Sequence, residues 1–248
     1  MNRLAPTALI LALATVAPGC DLVEMFDDLE HPRTLVSVAV THHATAQDGS
    51  FPYRGGDGEM RVFDTDEGWS VTLLGAYVTT TAVVLHRCDD ANVDLELYRG
   101  PFAEDFRRED LDMFTLGGVD LGASSYCSAT VTYGPYPQGA SMNGLDPEVE
   151  GATFYLDGGA TKGDVTVPFT LRSDAVIAVE VDLSQVQDGG PLVVHGGEDF
   201  PIELVVSKTY DRFFDAVDFE VATTEELQVQ VAAALELETR ADLDAVSP

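Results

Sequence analysis

The five histidines are the side chains of this sequence best suited to bind a metal ion. His42, His86 and His195 fall at the ends of predicted strands, where loops can gather them, and His43 follows His42 directly. Imidazole is a good copper ligand, but adjacent strand residues point to opposite faces. One ion would therefore take His42 or His43 together with His86 or His195. The alternative is that these are surface or strand-end histidines, because no HxH or HxxxH spacing joins them.

Two acidic segments make calcium the alternative metal. Asp64-Thr-Asp66-Glu-Gly68 and Asp90-Ala-Asn92-Val-Asp94 place oxygen ligands two residues apart, as the first half of an EF-hand loop does. The first segment has its glycine one residue early and Gly75 at the position of the bidentate glutamate, and the second lacks both residues. Because the chain holds 43 Asp and Glu residues, such fragments also arise by chance.

The common catalytic motifs of hydrolases are missing from the sequence. The segment around Ser141 has one residue too many for GxSxG, and neither HExxH nor a P-loop occurs. A pair of catalytic carboxylates, as in glycosidases, stays open because acids are spread along the whole chain. We therefore predict a protein that is not an enzyme, with an uncharacterised hydrolase as an alternative.

Residues 1–19 have the plan of an export signal. Arg3 supplies a positive charge, and the apolar segment 4–16, at about 13 residues, is shorter than the roughly 20 that cross a bilayer as a helix. The following Ala17-Pro18-Gly19-Cys20 resembles the lipobox of bacterial lipoproteins, although that family usually has Leu and then Ser or Ala before the glycine. The resemblance implies that Cys20 is lipidated and becomes the first residue of the mature protein.

This anchor predicts the location of the protein. Residues 20–33 would form the lipid anchor and tether, and the mature domain would be held at a membrane of the cell envelope, facing the periplasm or the cell exterior. Several acyl chains on one residue suffice for stable attachment, because each buried methylene contributes about 0.8 kcal/mol. Ordinary secretion, with Cys20 a spare thiol, is the alternative.

With Cys20 assigned to the lipid, Cys88 and Cys127 are the other two cysteines. In an oxidising compartment they are expected to form a disulfide. Closing a loop of about 40 residues would stabilise the domain by roughly 3 to 4 kcal/mol. A metal-bound or reactive thiol is the alternative.

The formal net charge of −30 limits the possible partners. Such a surface repels nucleic acid and anionic lipid headgroups, so we predict no nucleic-acid partner. The acids lie along the whole chain without a dense run. This distribution is typical of a solvated acidic surface.

Apolar residues alternate with polar ones through most of the mature chain, which predicts short, half-buried strands. The alternation occurs at 36–40, 71–73, 76–84, 93–97, 165–171, 175–183 and 202–206. Glycine pairs, as in Asp157-Gly158-Gly159 and Asp188-Gly189-Gly190, predict turns between strands. Short strands without intervening helices predict a mainly β fold, an antiparallel β-sandwich or a barrel-like sheet.

One C-terminal α-helix is expected to close a single domain of residues 34–241, before a frayed tail at 242–248. Thr223 and Glu226 form a capping-box pattern at its start. The prolines and glycines of 133–151 predict a long loop, and loops of that length are often functional. The expected apolar stripe of the helix and the core anchors before it are Leu227, Val231, Ala234, Leu235, Phe213, Phe214, Val217 and Phe219.

A second resemblance concerns the domain itself. The run 75–85, the strand through Tyr126, and Asp215 and Asp218 after two phenylalanines are similar to the layout of periplasmic β-rich lipoproteins. Among these are the methanobactin-associated periplasmic proteins, which handle copper with a histidine and a modified tryptophan. The resemblance implies a copper role in which Trp69 would stand for that tryptophan.

Three hypotheses follow for the function. The first is a membrane-anchored binding or envelope-assembly module whose loops, notably 133–151, contact a small ligand or another envelope protein. The second is a periplasmic metal carrier, with copper ahead of calcium. The third is an uncharacterised hydrolase.

Overall fold

The computed structural model describes residues 32–46, 60–90, 93–142, 144–198 and 200–243. Strand makes up 54% of the described residues and helix 11%, so the fold is mainly β, as predicted. The strands are β1 (Thr34–His43), β2 (Arg61–Asp64), β3 (Ser70–Arg87), β4 (Asp94–Asp105), β5 (Phe114–Leu121), β6 (Ser124–Tyr133), β7 (Phe154–Lys162), β8 (Val165–Ser173), β9 (Ile177–Asp182), β10 (Leu192–Val194), β11 (Ile202–Thr209) and β12 (Thr239–Leu243). The α-helix of this part is α1 (Thr224–Glu238), and no helix in it is long and apolar enough to cross a membrane.

The strands form two sheets with a shared core, which confirms the predicted sandwich over the barrel-like alternative. The four-stranded sheet has the order β12-β11-β1-β5. The eight-stranded sheet has the order β10-β6-β3-β7-β8, and β2 and β4 also pair with β3 while β9 pairs with β6. Strand pairs are antiparallel except β1 and β11, which run parallel with Val36 opposite Ile202.

The 18-residue strand β3 organises the larger sheet, because β2, β4, β6 and β7 all pair with parts of it. Its register shifts between Leu73 and Gly75 and again between Thr80 and Ala82. Such bulges bend a strand and increase its twist. One long strand can therefore pair with different neighbours along its two halves.

The C-terminal part follows the sequence pattern closely. Thr223 caps α1, and the reciprocal bonds of its hydroxyl and the Glu226 carboxylate complete the predicted capping box. The buried residues of α1 and the core anchors before it are those predicted: Leu227, Val231, Ala234, Leu235, Phe213, Phe214, Val217 and Phe219.

Two local expectations were wrong. Gly158 and Gly159 lie inside β7 and form no turn there. After α1 the chain forms β12, so Asp242 and Leu243, which were expected in a frayed tail, pair with β11 instead. Residues 244–248 lie outside the described residues.

The predicted disulfide is present. Cys88 directly follows β3, Cys127 lies in β6, and their Cα atoms are 4.9 Å apart. The bridge joins two strands that already pair with each other, since Arg87 lies opposite Tyr126 in the register. It therefore fixes the end of the β3–β6 ladder.

Candidate functional site

The histidines of the copper hypothesis lie on different elements. His42 and His43 are the last two residues of β1 in the four-stranded sheet, His86 lies in β3 of the eight-stranded sheet, and His195 follows β10 and is exposed. His31 and Cys20, the predicted lipidation residue, lie outside the described residues.

The ring contacts of these histidines are to protein groups. His42 is fully buried, with Nδ1 2.9 Å from Glu104 Oε1 and Nε2 3.3 Å from the carbonyl oxygen of Arg108. His86 has Nδ1 2.7 Å from Asp94 Oδ1 and Nε2 2.7 Å from Thr130 Oγ1. In the part of the chain described here, no three His, Cys, Asp or Glu side chains come close enough together to hold a metal ion. Copper binding stays a prediction from the sequence.

The first of the two segments with calcium-ligand spacing, residues 64–68, helps to line an acidic cavity of about 320 Å³. Asp64 and Asp66 line it with Asp211, Asp215 and Arg212. Two of these carboxylates already bind protein groups: Arg212 Nη1 lies 2.9 Å from Asp215 Oδ2, and the backbone N–H of Ala216 donates to Asp66 Oδ1 at 2.7 Å. The second segment includes Asn92, which is outside the described residues.

Trp69, the residue that the copper resemblance implies, is a core residue. Its side chain is 1% exposed, its ring packs edge-on against Phe219 at 5.5 Å between centroids, and Lys162 Nζ lies 5.6 Å from the ring centroid. In this environment Trp69, which directly precedes β3, serves as a packing residue of the core.

A cleft of about 220 Å³ opens between strands β4 and β5 and the long loop. Phe102 and Phe114 form one wall, with ring centroids 5.5 Å apart. Gly144 and Leu145 of the long loop also line the cleft. The lining residues are Tyr77, Phe102, Ala103, Asp105, Arg108, Phe114, Gly144 and Leu145.

The described part of the loop from Tyr133 to Gly151, which was predicted from its prolines and glycines, is packed and hydrogen-bonded. Tyr136 is buried in a small cluster with Tyr77, Val149 and Tyr155. The phenol of Tyr136 donates to the Ser141 carbonyl at 2.7 Å, and the Gly151 N–H donates to the Tyr136 carbonyl at 2.7 Å. The cleft rim therefore rests on packed and hydrogen-bonded backbone.

Charges at the cleft are arranged asymmetrically. Asp105 is neutralised by Arg107, whose Nη2 lies 2.7 Å from Asp105 Oδ2 and 2.5 Å from the Tyr77 phenol. Burial, followed by the nearby Asp105 carboxylate, raises the pKa of Tyr77. The exposed guanidinium of Arg108 lies over the Phe114 ring, 5.1 Å from its centroid. Within the described ranges no carboxylate is in ion-pair distance of Arg108, which leaves it able to bind an anion.

A second polar cluster lies inside the sandwich and links its two sheets. Glu104 of β4 is flanked by His42 of β1 and by Lys208 of β11, whose Nζ lies 2.6 Å from Glu104 Oε2. Burial alone raises the pKa of Glu104, but Lys208 and His42 outweigh it and lower that pKa below its usual value. The Tyr133 phenol donates to Thr239 Oγ1 at 2.8 Å, since the Thr239 hydroxyl itself donates to the Leu235 carbonyl.

Sequence reasoning missed Glu104, Lys208 and Arg108. Strand alternation could have indicated the interior cluster. The alternating apolar positions of the first strand continue to His42, and those of the strand after residue 201 continue to Lys208. The apolar positions are Val36, Val38, Val40, Leu204 and Val206. Continuing each alternation by one step places a charged or titratable side chain at a buried position. The cleft had no such signal, because its walls come from strands and a loop distant in sequence.

No family model, no curated protein and no solved structure matches this chain. Function must therefore be argued from the sites themselves.

Proposed function

We propose that this protein is a membrane-anchored, non-enzymatic binding module of the cell envelope, and that its binding site is the cleft walled by Phe102 and Phe114. The lipobox-like Cys20 supports attachment through lipid, and a disulfide suits an oxidising compartment outside the cytosol. The observation that carries the binding role is the cleft itself, with an aromatic wall and an exposed guanidinium at one opening.

The size and the side chains of the cleft indicate the class of ligand that it fits. At about 220 Å³ it is smaller than the roughly 300 to 1,000 Å³ of sites for drug-sized molecules, so it fits one ring-sized group. The rings of Phe102 and Phe114 favour an apolar, ring-sized group, and Arg108 favours a carboxylate or another anion beside it. We expect a small aromatic or unsaturated acid, or an equivalent group on a larger envelope ligand.

A titration with phenylacetate, followed by NMR, tests the proposal. Phenylacetate should shift the amide signals of residues around the cleft and bind more tightly than the neutral phenylacetamide. Phe114→Ala should weaken binding about fivefold to tenfold, because it removes one stacking partner. Arg108→Gln should abolish the preference for the acid over the amide.

Phe200→Ala is the matched control, because Phe200 is 81% exposed and does not line the cleft. It should bind phenylacetate as the unaltered protein does. Equal binding by the Phe114→Ala and Phe200→Ala variants, or shifts confined to residues far from the cleft, would contradict the proposed site.

A further inference from the structure

The interior of the sandwich holds a lysine and a glutamate whose reactive atoms are in contact. Lys208 Nζ lies 2.6 Å from Glu104 Oε2, and the two side chains are 1% and 0% exposed. The angles at this contact fall outside those of a hydrogen bond, although the distance is short. The pair joins β11 of the four-stranded sheet to β4 of the eight-stranded sheet.

A lysine at this position is unusual for this chain. Lys162 and Lys208 are the only lysines among 13 basic residues, and the rest are arginines. Arginine is better suited to a buried ion pair, because its planar fork binds a carboxylate through two bonds and keeps its charge. A buried lysine can give up its proton and then act as a nucleophile.

His42 completes the arrangement. It lies directly opposite Lys208 in the parallel register of β1 and β11, and its Nδ1 is 2.9 Å from Glu104 Oε1. Stacking on Phe106, with centroids 4.7 Å apart, fixes the ring plane. The N–H of His42 can therefore donate to the carboxyl oxygen that does not face Lys208.

We propose that Lys208 and Glu104 condense into an intramolecular isopeptide bond that ties the two sheets together. The ammonium group first passes a proton to the carboxylate, and the neutral Nζ then attacks Cδ of Glu104. The Nζ–Cδ bond forms, the Cδ–Oε2 bond breaks, and Oε2 leaves as water carrying both protons that Nζ loses. His42 Nδ1–H stabilises the negative charge that develops on Oε1 during the attack.

Two physical effects favour this condensation. The fold holds the amine and the carboxyl group in contact, which replaces a bimolecular encounter by an intramolecular step of high effective concentration. The product is a neutral amide, so the reaction removes two charges that are costly to keep away from water. No oxidant or second substrate is required, because an ammonium and a carboxylate yield an amide and one water.

Tryptic digestion of the folded, purified protein followed by mass spectrometry tests the bond. Trypsin cannot cleave after an acylated lysine, so residues 100–107, which contain Glu104, should be found joined to residues 173–212, which contain Lys208. The branched product should be about 18 Da lighter than the two peptides together, since one water has left. Separate peptides, with cleavage after Lys208, would overturn the proposal.

Two variants add a control and a test of His42. Lys162→Arg should leave the branched peptide unchanged, because Lys162 Nζ donates to the Glu67 carbonyl at the surface. His42→Gln should slow formation of the branched peptide by about tenfold or more in a refolding time course, since one donor to the oxyanion is replaced. A branched peptide that forms equally fast in folded His42→Gln would remove His42 from the reaction.

Discussion

Tyr133 illustrates how single residues behave inside this sandwich. It is the last residue of β6, its side chain is fully buried, and its phenol donates to Thr239 Oγ1. Burial raises the pKa of Tyr133 well above its ordinary value, because the phenolate would lie in the core. The contribution of this residue to stability therefore depends on pH in the alkaline range.

The sign of that dependence can be predicted. A folded-state pKa above the unfolded value of 10.0 means that the contribution of Tyr133 is complete below pH 10.0 and is lost as the pH rises toward the folded pKa. Tyr133→Phe should lower the free energy of unfolding at neutral pH by about 1 kcal/mol, through the lost hydrogen bond. Above pH 10.0, the stability of the Tyr133→Phe variant should fall less steeply with pH than that of the unaltered protein. Urea unfolding across the alkaline range measures both effects, and an unchanged slope would contradict the argument.

The residues of the two candidate sites could be predicted only in part from the sequence. The sequence suggested His42, His43, His86 and His195 as copper ligands, whereas in the structure the rings of His42 and His86 each lie between two protein neighbours. Glu104 meets Lys208 only because two sheets pack face to face, and no local pattern encodes that contact.

At the scale of elements, the long strand β3 and its glycine-containing partner β7 determine how the larger sheet bends. Gly158 lies opposite Leu73, where the register of β3 shifts before Gly75. A Cβ atom at Gly158 would come within 2.0 Å of the Thr72 carbonyl oxygen. The absence of a side chain at this position therefore allows the two backbones to approach.

Gly158→Ala should destabilise the protein by at least about 2 kcal/mol, because backbone must move to admit the methyl group. Gly122→Ala is the matched control, since a Cβ there meets no atom within 4 Å. Thermal unfolding of the two variants, side by side, measures the difference. Equal stability of the two variants would show that β3 and β7 do not approach as described.

The same position explains a failure of the sequence interpretation. Asp157-Gly158-Gly159 has the composition of a turn, but both glycines lie within a strand, and Gly158 allows a close approach of backbone there. Strand alternation, the capping box and the apolar stripe of α1 were readable because each depends on neighbouring residues alone. The parallel pairing of β1 with β11 depends on residues far apart in the chain, and the alternation carried no information about it.

At the scale of the whole molecule, charge and attachment must be considered together. With 43 acidic and 13 basic residues, the protein is repelled by anionic lipid headgroups. Electrostatic attraction therefore cannot hold this domain at a membrane. The proposed attachment would come instead from acyl chains on Cys20.

Replacing the proposed lipid site tests this conclusion. Cys20→Ser should move the protein from the membrane fraction to the soluble fraction, because the acyl chains are lost. Washing membranes of the unaltered strain with about 1 M salt should not release the protein, since apolar burial is not screened by salt. Membrane association that survives Cys20→Ser, or that is lost on the salt wash, would contradict a lipid anchor.

The pairing of β1 with β11 also constrains when the protein can fold. Val36 meets Ile202 in that pair, so β1, which pairs with β5 on its other side, lacks this second partner until most of the chain has left the ribosome. Contacts between residues so distant in sequence form slowly, because a long loop must close before they contribute. The smaller sheet therefore stays incomplete during most of synthesis, and if the protein is exported as proposed, an incomplete fold is the state that a narrow translocation channel would require.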